Sequence, residues 1–236
     1  MSVAVRASVS SMNALHTMND PYQITSLDAL LALYGEINAN SLKKEVPVLT
    51  PAYRRWIAAS PFVLVATGGG GDAAGKTGPG GLDCSPRGDA PGELCHVLDE
   101  RTIAIPNRRG NNRLDTLRNL IGDPRIALLF LVPGVAECVR VNGSAIISTD
   151  PALCGLFPAG ANHGGNLPVT VIVVTIGSVY FQCARAIMRS RLWELSAHAD
   201  AGDLPTAGDM TRSGDGAFDA DAYDAVLRER QKATLY

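Results

Sequence analysis

Between Phe62 and Ala184 the chain is a succession of short apolar runs, rich in Val and Ile, that are separated by turn residues. Runs of about four to eight such residues bounded by Gly, Pro, Asn or Asp are typical of β-strands. Asp99-Glu100, Pro133-Gly134 and Asn142-Gly143 supply turns, and Asn-Gly is a strong hairpin signal. This pattern favours a mainly β (α+β) fold, an antiparallel barrel with flanking helices, over an alternating parallel sheet. The predicted strands are Phe62–Thr67, Leu82–Ser85, Cys95–Leu98, Arg101–Ile105, Ile126–Val132, Cys138–Val141, Ser144–Ser148, Val169–Ile176 and Val179–Ala184.

Capping residues and the helical spacing of apolar side chains predict helices around this strand-rich region. Thr50-Pro51 is typical of a helix start, because Thr caps the helix and Pro fits its first turn. Gly122-Asp123-Pro124 is typical of a helix end. The predicted helices are Leu27–Tyr34, Thr50–Ser60, Leu114–Ile121, one near Pro151, one near Arg185 and Phe218–Gln231. Their apolar positions include Leu114, Leu117, Leu120 and Ile121 in the third helix and Ile187, Met188, Leu192 and Leu195 in the fifth.

Composition divides the chain into three parts. Residues 1–49 are expected to form an N-terminal segment with one helix, and residues 50–198 the barrel domain. Residues 199–236 are expected to form a flexible linker and a C-terminal helix, because Asp, Ala and Gly dominate from Asp200 to Gly216.

The charge balance argues against a general nucleic-acid-binding protein. The 21 Lys and Arg residues and the 23 Asp and Glu residues give a formal net charge of −2, whereas such proteins carry a basic excess. Binding of nucleic acid through Arg108–Arg118 is the weakest alternative. No apolar run approaches the roughly 18–20 residues of a membrane span. The five cysteines stand singly and the start lacks a signal-peptide core, so we expect a cytoplasmic protein with free thiols.

Residues 70–77 match the phosphate-binding pattern G-x-x-x-x-G-K-[ST]. A functional loop of this kind needs a helix that begins at Lys76-Thr77, whose N–H groups hold the phosphates. Here Gly78-Pro79-Gly80-Gly81 follows, and that sequence cannot propagate a helix. We therefore interpret Gly68–Gly81 as a flexible hairpin loop rather than a nucleotide site.

Two groups of arginines are suited to binding an anion. Ile103–Arg113 ends a strand at Pro106 and leads three arginines and three asparagines into a helix start. Guanidinium groups and a helix N-terminus both favour a dianion, although a solvated helix start has the same composition. Arg185 and Arg189 are four residues apart and share a helix face. The alternative for this second pair is a surface stripe over buried apolar residues.

Three sequence blocks, taken together, resemble a known family. They are D-x-S-P-R-G-D at Asp83–Asp89, I-P-N-R-R-G-N-N-R-L-D-T-L-R-N at Ile105–Asn119 and F-Q-C-A-R-A-I-M-R-S-R-L-W at Phe181–Trp193. In this order they resemble the FMN-binding proteins related to pyridoxamine 5′-phosphate oxidase, over most of the predicted barrel domain. The resemblance implies a split β-barrel that forms a homodimer, with FMN in clefts at the subunit interface.

The resemblance also implies which residues hold the cofactor. Ser85 and Arg87 are expected to face FMN from one strand. The phosphate and ribityl contacts are expected from Arg108, Arg109, Asn111, Asn112 and Arg113, and the contacts from the other subunit are expected from Arg185, Arg189 and Ser190.

Two departures limit what the resemblance implies. Gly68–Gly81 lengthens a hairpin that is usually tight, and the C-terminal R-L-H-D-R-type block of the true oxidase is missing. Oxidation of pyridoxamine phosphate is therefore not expected. No two histidines have the spacing of metal ligands, and only His163 stands in a loop expected to border the cleft.

The main hypothesis is an FMN-dependent oxidoreductase of unknown substrate. Its partners are a second copy of the chain and a small-molecule electron donor or acceptor, with no nucleic acid and no membrane. The alternative is a non-catalytic protein that stores or senses the flavin. Flavin chemistry in its simplest form needs no nucleophile or general base from the protein, so the sequence does not separate these two hypotheses or predict a catalytic residue.

Overall fold

A computed structural model of the chain gives two compact units, Met1–Lys43 and Lys44–Tyr236. The described residues are 22–69, 81–110, 112–157 and 166–235. The phosphate-binding pattern at residues 70–77, Asn111 and His163 lie outside these residues.

In the first unit, the described residues from 22 onward form the helices α1 (Leu27–Tyr34) and α2 (Ala39–Leu42). The Ser26 side chain caps α1 by accepting a hydrogen bond of 3.1 Å from the N–H of Ala29. Gly35 ends the helix with a φ of 73°, a conformation that favours glycine. The predicted helix Leu27–Tyr34 is therefore confirmed.

The second unit is built on a seven-stranded sheet in which every pair of neighbouring strands is antiparallel. Its strands are β1 (Phe62–Thr67), β2 (Asp83–Gly88), β3 (His96–Val97), β4 (Thr102–Pro106), β5 (Arg125–Leu131), β6 (Cys138–Ser148) and β7 (Val171–Gln182). Its helices are α3 (Pro51–Ala59), α4 (Asp115–Gly122), α5 (Pro151–Cys154), α6 (Arg185–Ser190), α7 (Ala207–Gly214) and α8 (Ala220–Ala233). The strand order is β2-β1-β5-β6-β7-β4-β3. This confirms an antiparallel α+β fold.

One apolar cluster collects buried side chains from β1, β4, β5, β6, β7, α3 and α4. Ile57, Val65, Phe130, Val141 and Ile172 are completely buried in it. Strand β1 lies near one edge of the sheet and β4 near the other, yet both contribute to this one core. The sheet therefore curves around the core. Strand β2 places no residue in the cluster, so its inward side chains are available for another purpose.

The hairpin predicted at Asn142-Gly143 is wrong. The two predicted strands on either side of it form one strand, β6, and the two strands predicted over residues 169–184 likewise form β7. Asn142 pairs with Ser178 and Gly143 with Ile176, so Gly177 is an extra residue in a β-bulge. A Cβ atom on Gly143 would overlap the carbonyl oxygen of Thr175. The glycine is required by close approach of two strands rather than by a turn.

The C-terminal part contains more helix than the sequence indicated. Helix α7 occupies 207–214, within the segment interpreted as a linker. A capping box forms its start, because the Thr206 side chain accepts from the N–H of Asp209 while the Asp209 carboxylate accepts from the N–H of Thr206. Among the described residues, no helix is both long enough and apolar enough to cross a membrane.

We predict that Gly143→Ala lowers the free energy of unfolding by about 2–3 kcal/mol, because the added methyl group forces β6 and β7 apart at the bulge. Urea unfolding followed by circular dichroism measures this change. Gly216→Ala is the matched control, since a Cβ atom there meets no atom within 4 Å. An equal, small effect in both variants would contradict the close approach.

Candidate functional site

A cleft of about 1200 Å³ lies beside β2 and the start of α4. Its other described walls are residues 106–110, 112–113 and 166–170, and Leu94 and Leu235 also line it. Four arginines and two aspartates are among its described lining residues, which is a formal excess of two positive charges. The cleft is therefore suited to a ligand that is anionic at one end.

The inward face of β2 is polar. Strand alternation places Asp83, Ser85 and Arg87 on one side, opposite Thr116 of α4. The Ser85 and Thr116 hydroxyls donate to the Asp83 carboxylate at 2.8 and 3.0 Å, and Arg87 donates to the Thr116 oxygen at 3.1 Å. Burial lowers the pKa of Arg87, and the nearby charge of Asp83 opposes that shift. This network fixes the Ser85 and Arg87 side chains at the cleft wall.

Helix α4 turns a partly polar face toward the sheet. Thr116, Asn119 and Leu120 are buried, while Ile121 is 81% exposed, so the predicted apolar face that included Ile121 is wrong. The Asn119 amide donates to the Thr67 hydroxyl at 3.1 Å and to the Gly81 carbonyl at 2.8 Å. Hydrogen bonds to β1 and to the chain before β2, rather than apolar periodicity, determine which side of α4 faces inward.

The first turn of α4 has no side-chain cap. Leu114 occupies the N-cap position with a φ of 62°, and Asn112 has a φ of 58°. The left-handed conformation is uncommon for Leu, whereas Asn adopts it more readily, and strained conformations of this kind cluster at functional sites. The first N–H groups of the helix are left to another acceptor, and the positive end of the helix dipole lies at the cleft. Arg113 donates to Asp115 at 2.8 Å, which raises the pKa of Arg113.

Two adjacent arginines have different surroundings. Arg108 donates to the Asp89 carboxylate at 2.7 Å and to the Phe157 carbonyl at 2.9 Å, and its side chain is 12% exposed. Arg109 is exposed, and no hydrogen bond or ion pair joins it to a residue that the structure describes. Arg109 is therefore available to a ligand, whereas Arg108 is held by the protein.

The structure brings together six of the ten predicted cofactor-binding residues. Those that line the cleft are Ser85, Arg87, Arg108, Arg109, Asn112 and Arg113. Arg185, Arg189 and Ser190 lie on α6 and do not line the cleft of their own chain. Their expected contact across a dimer stays a prediction, as does the cofactor role of all ten.

Helix α6 and the segment after it present an exposed apolar surface. The helix predicted near Arg185 included Leu192 and Leu195, but α6 ends at Ser190, so both residues lie beyond it. Met188 is 66% exposed, Leu192 46% and Leu195 83%, so these three predicted apolar positions are not buried within one chain. Trp193 anchors the following segment, because its indole N–H donates to the Val135 carbonyl at 2.8 Å.

Sequence reasoning did not assign a role to Thr116 or Asp89, although both stand in the blocks that it singled out. The spacing of Thr116, Asn119 and Leu120 would have placed Thr116 on the inward face. No local pattern indicates the partner of Asp89, since Arg108 is nineteen residues away. All five cysteines are free, and the described residues contain no group of His, Cys, Asp or Glu that could hold a metal ion.

Comparison with known sequences identifies one matching family. Residues 49–183 match the sequence model of the family described as pyridoxamine 5′-phosphate oxidase. No curated protein matches the chain.

Three solved structures share parts of the fold at low similarity. HupZ from Group A Streptococcus is 17% identical with a TM-score of 0.42, and the match covers 56% of this chain and 91% of that one. A protein of the pyridoxinephosphate oxidase family related to general stress protein 26, from Clostridium acetobutylicum, is 15% identical with a TM-score of 0.39, covering 54% and 83%. The FAD binding protein from Mycobacterium smegmatis is 13% identical with a TM-score of 0.34, covering 58% and 97%. At these values the three structures say nothing about the chemistry of this chain.

We predict that Thr116→Val lowers the free energy of unfolding by about 1–3 kcal/mol, because Arg87 and Asp83 both lose a buried partner. Chemical unfolding in urea measures the effect. Thr211→Val is the control, since the Thr211 hydroxyl is exposed and bonds only to the Ala207 carbonyl of its own helix. Equal stability changes in the two variants would show that the network does not hold α4.

Proposed function

The chain belongs to the pyridoxamine 5′-phosphate oxidase family, and on that premise we propose that it binds FMN in the cleft and works as a flavin-dependent oxidoreductase. The observation that carries this proposal is the combination, in one cleft, of an uncapped helix N-terminus, an available arginine and an apolar wall. Each of these features suits a different part of FMN.

The phosphate belongs at the start of α4. The N–H groups of the first turn and the exposed guanidinium of Arg109 can donate to its oxygens, and charge-assisted bonds of this kind are strong. Arg113 adds positive charge nearby, although Asp115 holds one of its donors. Ser85 and Arg87 face the same cleft from β2 and would hold the ribityl chain or the ring edge.

The flavin ring needs an apolar surface, and residues 166–170 supply one. Leu167 is 53% exposed and Val169 83% exposed, which is unusual for side chains that line a concave site. Cofactor pockets commonly measure about 300–1000 Å³. The volume of about 1200 Å³ therefore leaves room beside the cofactor for a second molecule or for part of a partner subunit.

The described lining residues include no His, Cys, Lys, Glu or Tyr, and the two aspartates of the lining are each engaged by a neighbour. The side chains of the cleft would thus bind and orient the cofactor and the substrate, and FMN would supply the acceptor of a hydride or of single electrons. Hydride transfer between a small molecule and the flavin is the reaction class that this cleft supports best.

We also propose that the working form is a homodimer. Arg185 and Arg189 do not line their own chain's cleft, and Met188 and Leu192 leave apolar surface exposed beside them. A second copy would cover that surface and bring these arginines to the flavin. Light scattering tests this, because a mass near the 24.8 kDa of one chain would contradict it.

The lack of His, Cys, Lys, Glu and Tyr among the described lining residues also fits a passive protein that stores or senses flavin. The two functions differ in turnover. Stopped-flow mixing of the FMN-loaded protein with NADH or NADPH separates them, since rapid bleaching of the flavin band supports the enzyme, whereas no reduction by either nucleotide favours the passive binder.

We predict that Arg109→Gln weakens binding of FMN roughly tenfold to a hundredfold, the loss of one charge-assisted hydrogen bond, and leaves binding of riboflavin unchanged. Riboflavin lacks the phosphate, so the pair of ligands isolates the phosphate contact. Quenching of flavin fluorescence on titration measures both affinities.

Arg55→Gln is the matched control, because Arg55 is an exposed arginine on α3 that does not line the cleft. An equal loss for FMN and riboflavin would move the phosphate away from Arg109. A wild-type protein that binds neither flavin would overturn the proposed function itself.

A further inference from the structure

A buried ion pair lies next to the cleft. Arg108 and Asp89 are joined at 2.7 Å, and the Asp89 side chain is completely buried. The same guanidinium donates to the Phe157 carbonyl at 2.9 Å. One side chain therefore connects three segments that are distant in sequence, namely the turn after β2, the loop after β4 and the segment that follows α5.

These contacts conflict with a role for Arg108 as a phosphate ligand. Turning the guanidinium toward a phosphate would break the ion pair of a completely buried carboxylate, which is strongly unfavourable. The neighbouring Arg109 has the same charge and is exposed, and no hydrogen bond or ion pair joins it to a described residue. Arg109 is thus available to a ligand, whereas Arg108 is bonded to Asp89 and to the Phe157 carbonyl.

The loop that follows needs an anchor. Asn112 and Leu114 both adopt left-handed conformations, which are unfavourable for residues other than glycine unless the surroundings hold them. Before the loop, the N–H of Asn107 donates to the Thr170 carbonyl at 3.0 Å. The ion pair lies one residue further along, immediately before Arg109.

We propose that Asp89 and Arg108 are positioning residues, whose buried ion pair holds the described residues of the loop after β4, 107–110 and 112–113, in the conformation that binds the flavin phosphate, without contacting the phosphate. The inference rests on the proposed function for its ligand. It gives a structural reason for the final Asp of the D-x-S-P-R-G-D block and reassigns Arg108, which the sequence resemblance had placed among the cofactor contacts.

The test uses the sign of the electrostatic effect. Asp89→Asn removes a negative charge near an anion site, so electrostatics alone predicts tighter binding of FMN. Loss of the positioning contact predicts the opposite, a weakening on the order of tenfold, as for other residues that orient a ligand-binding group. Titration of FMN fluorescence decides between them, and affinity equal to or above that of the wild type would overturn the proposal.

A double-mutant cycle tests the pairing. Asp89→Asn, Arg108→Gln and the double variant are compared for FMN affinity. Positioning through one shared contact predicts that the double variant binds no more weakly than the weaker single variant. If Arg108 instead contacts the phosphate directly, the loss of FMN binding free energy in the double variant equals the sum of the losses in the two single variants. The additive result would overturn the proposal.

Hydrogen exchange of the peptide that covers residues 107–113 gives a readout that needs no cofactor. Faster exchange is expected in Asp89→Asn and Arg108→Gln, and unchanged exchange in Arg212→Gln, which breaks an exposed ion pair on α7. Unchanged exchange in all three would overturn the proposal. If the wild type binds no flavin, the proposed function fails. The exchange rates still show whether the ion pair holds the loop.

Arg108→Lys provides a variant for the case in which Asp89→Asn does not fold. Lysine keeps a charge beside Asp89 but cannot donate from a planar fork to both Asp89 and the Phe157 carbonyl. We expect a folded protein with faster exchange over residues 107–113 and FMN binding reduced several-fold. Wild-type exchange and wild-type affinity together would overturn the positioning role.

Discussion

The antiparallel ladder between β6 and β7 is the interaction on which the rest of the barrel depends. It joins strands of 11 and 12 residues in the middle of the sheet. Strands β5, β1 and β2 follow on one side of the ladder, and β4 and β3 follow on the other. The cleft forms where the two sides approach each other again, with Arg87 on β2 facing the loop after β4. The bulge at Gly143 and Gly177 shifts the register within the ladder, so it affects the relative position of both cleft walls.

Much of this fold follows from local sequence. The strand Phe62–Thr67 and the helix start at Thr50 are where apolar runs and capping residues predicted them. The failure at Asn142-Gly143 has a definite cause. A two-residue turn and a close approach between strands both select glycine, and only the pairing partner distinguishes them. That partner is Ile176, and the carbonyl oxygen that a Cβ atom would overlap belongs to Thr175. Both are more than thirty residues away, so no local pattern could have given the correct result.

The same limit applies to the site. Residue types predicted a cationic loop at a helix start, and the structure places Arg108, Arg109 and Arg113 there. Their surroundings could not be predicted, because Arg108 and Arg109 are identical neighbours. What separates them is the position of Asp89 and of the Phe157 carbonyl, which the folded sheet brings to one of them. Buried ion pairs contribute little net stability compared with apolar packing, so the position of this one beside the cleft points to a role in geometry.

The chemistry of the cleft narrows what a reaction there would require. Among its described lining residues, arginine and aspartate are the ionisable types, and both aspartates already accept hydrogen bonds from neighbouring side chains. Within the described part of one chain, the cleft therefore offers no histidine, cysteine, lysine, glutamate or tyrosine that could move a proton. Both an enzyme and a passive binder are compatible with that condition, so the distinction rests on access to the flavin. Leu167 and Val169 expose apolar surface on the wall of the cleft, and the ring of a bound flavin would cover that surface. Turnover needs a small molecule to reach the ring in the space that remains, whereas storage does not, so reduction of the bound flavin by such a molecule is the observation that separates the two functions.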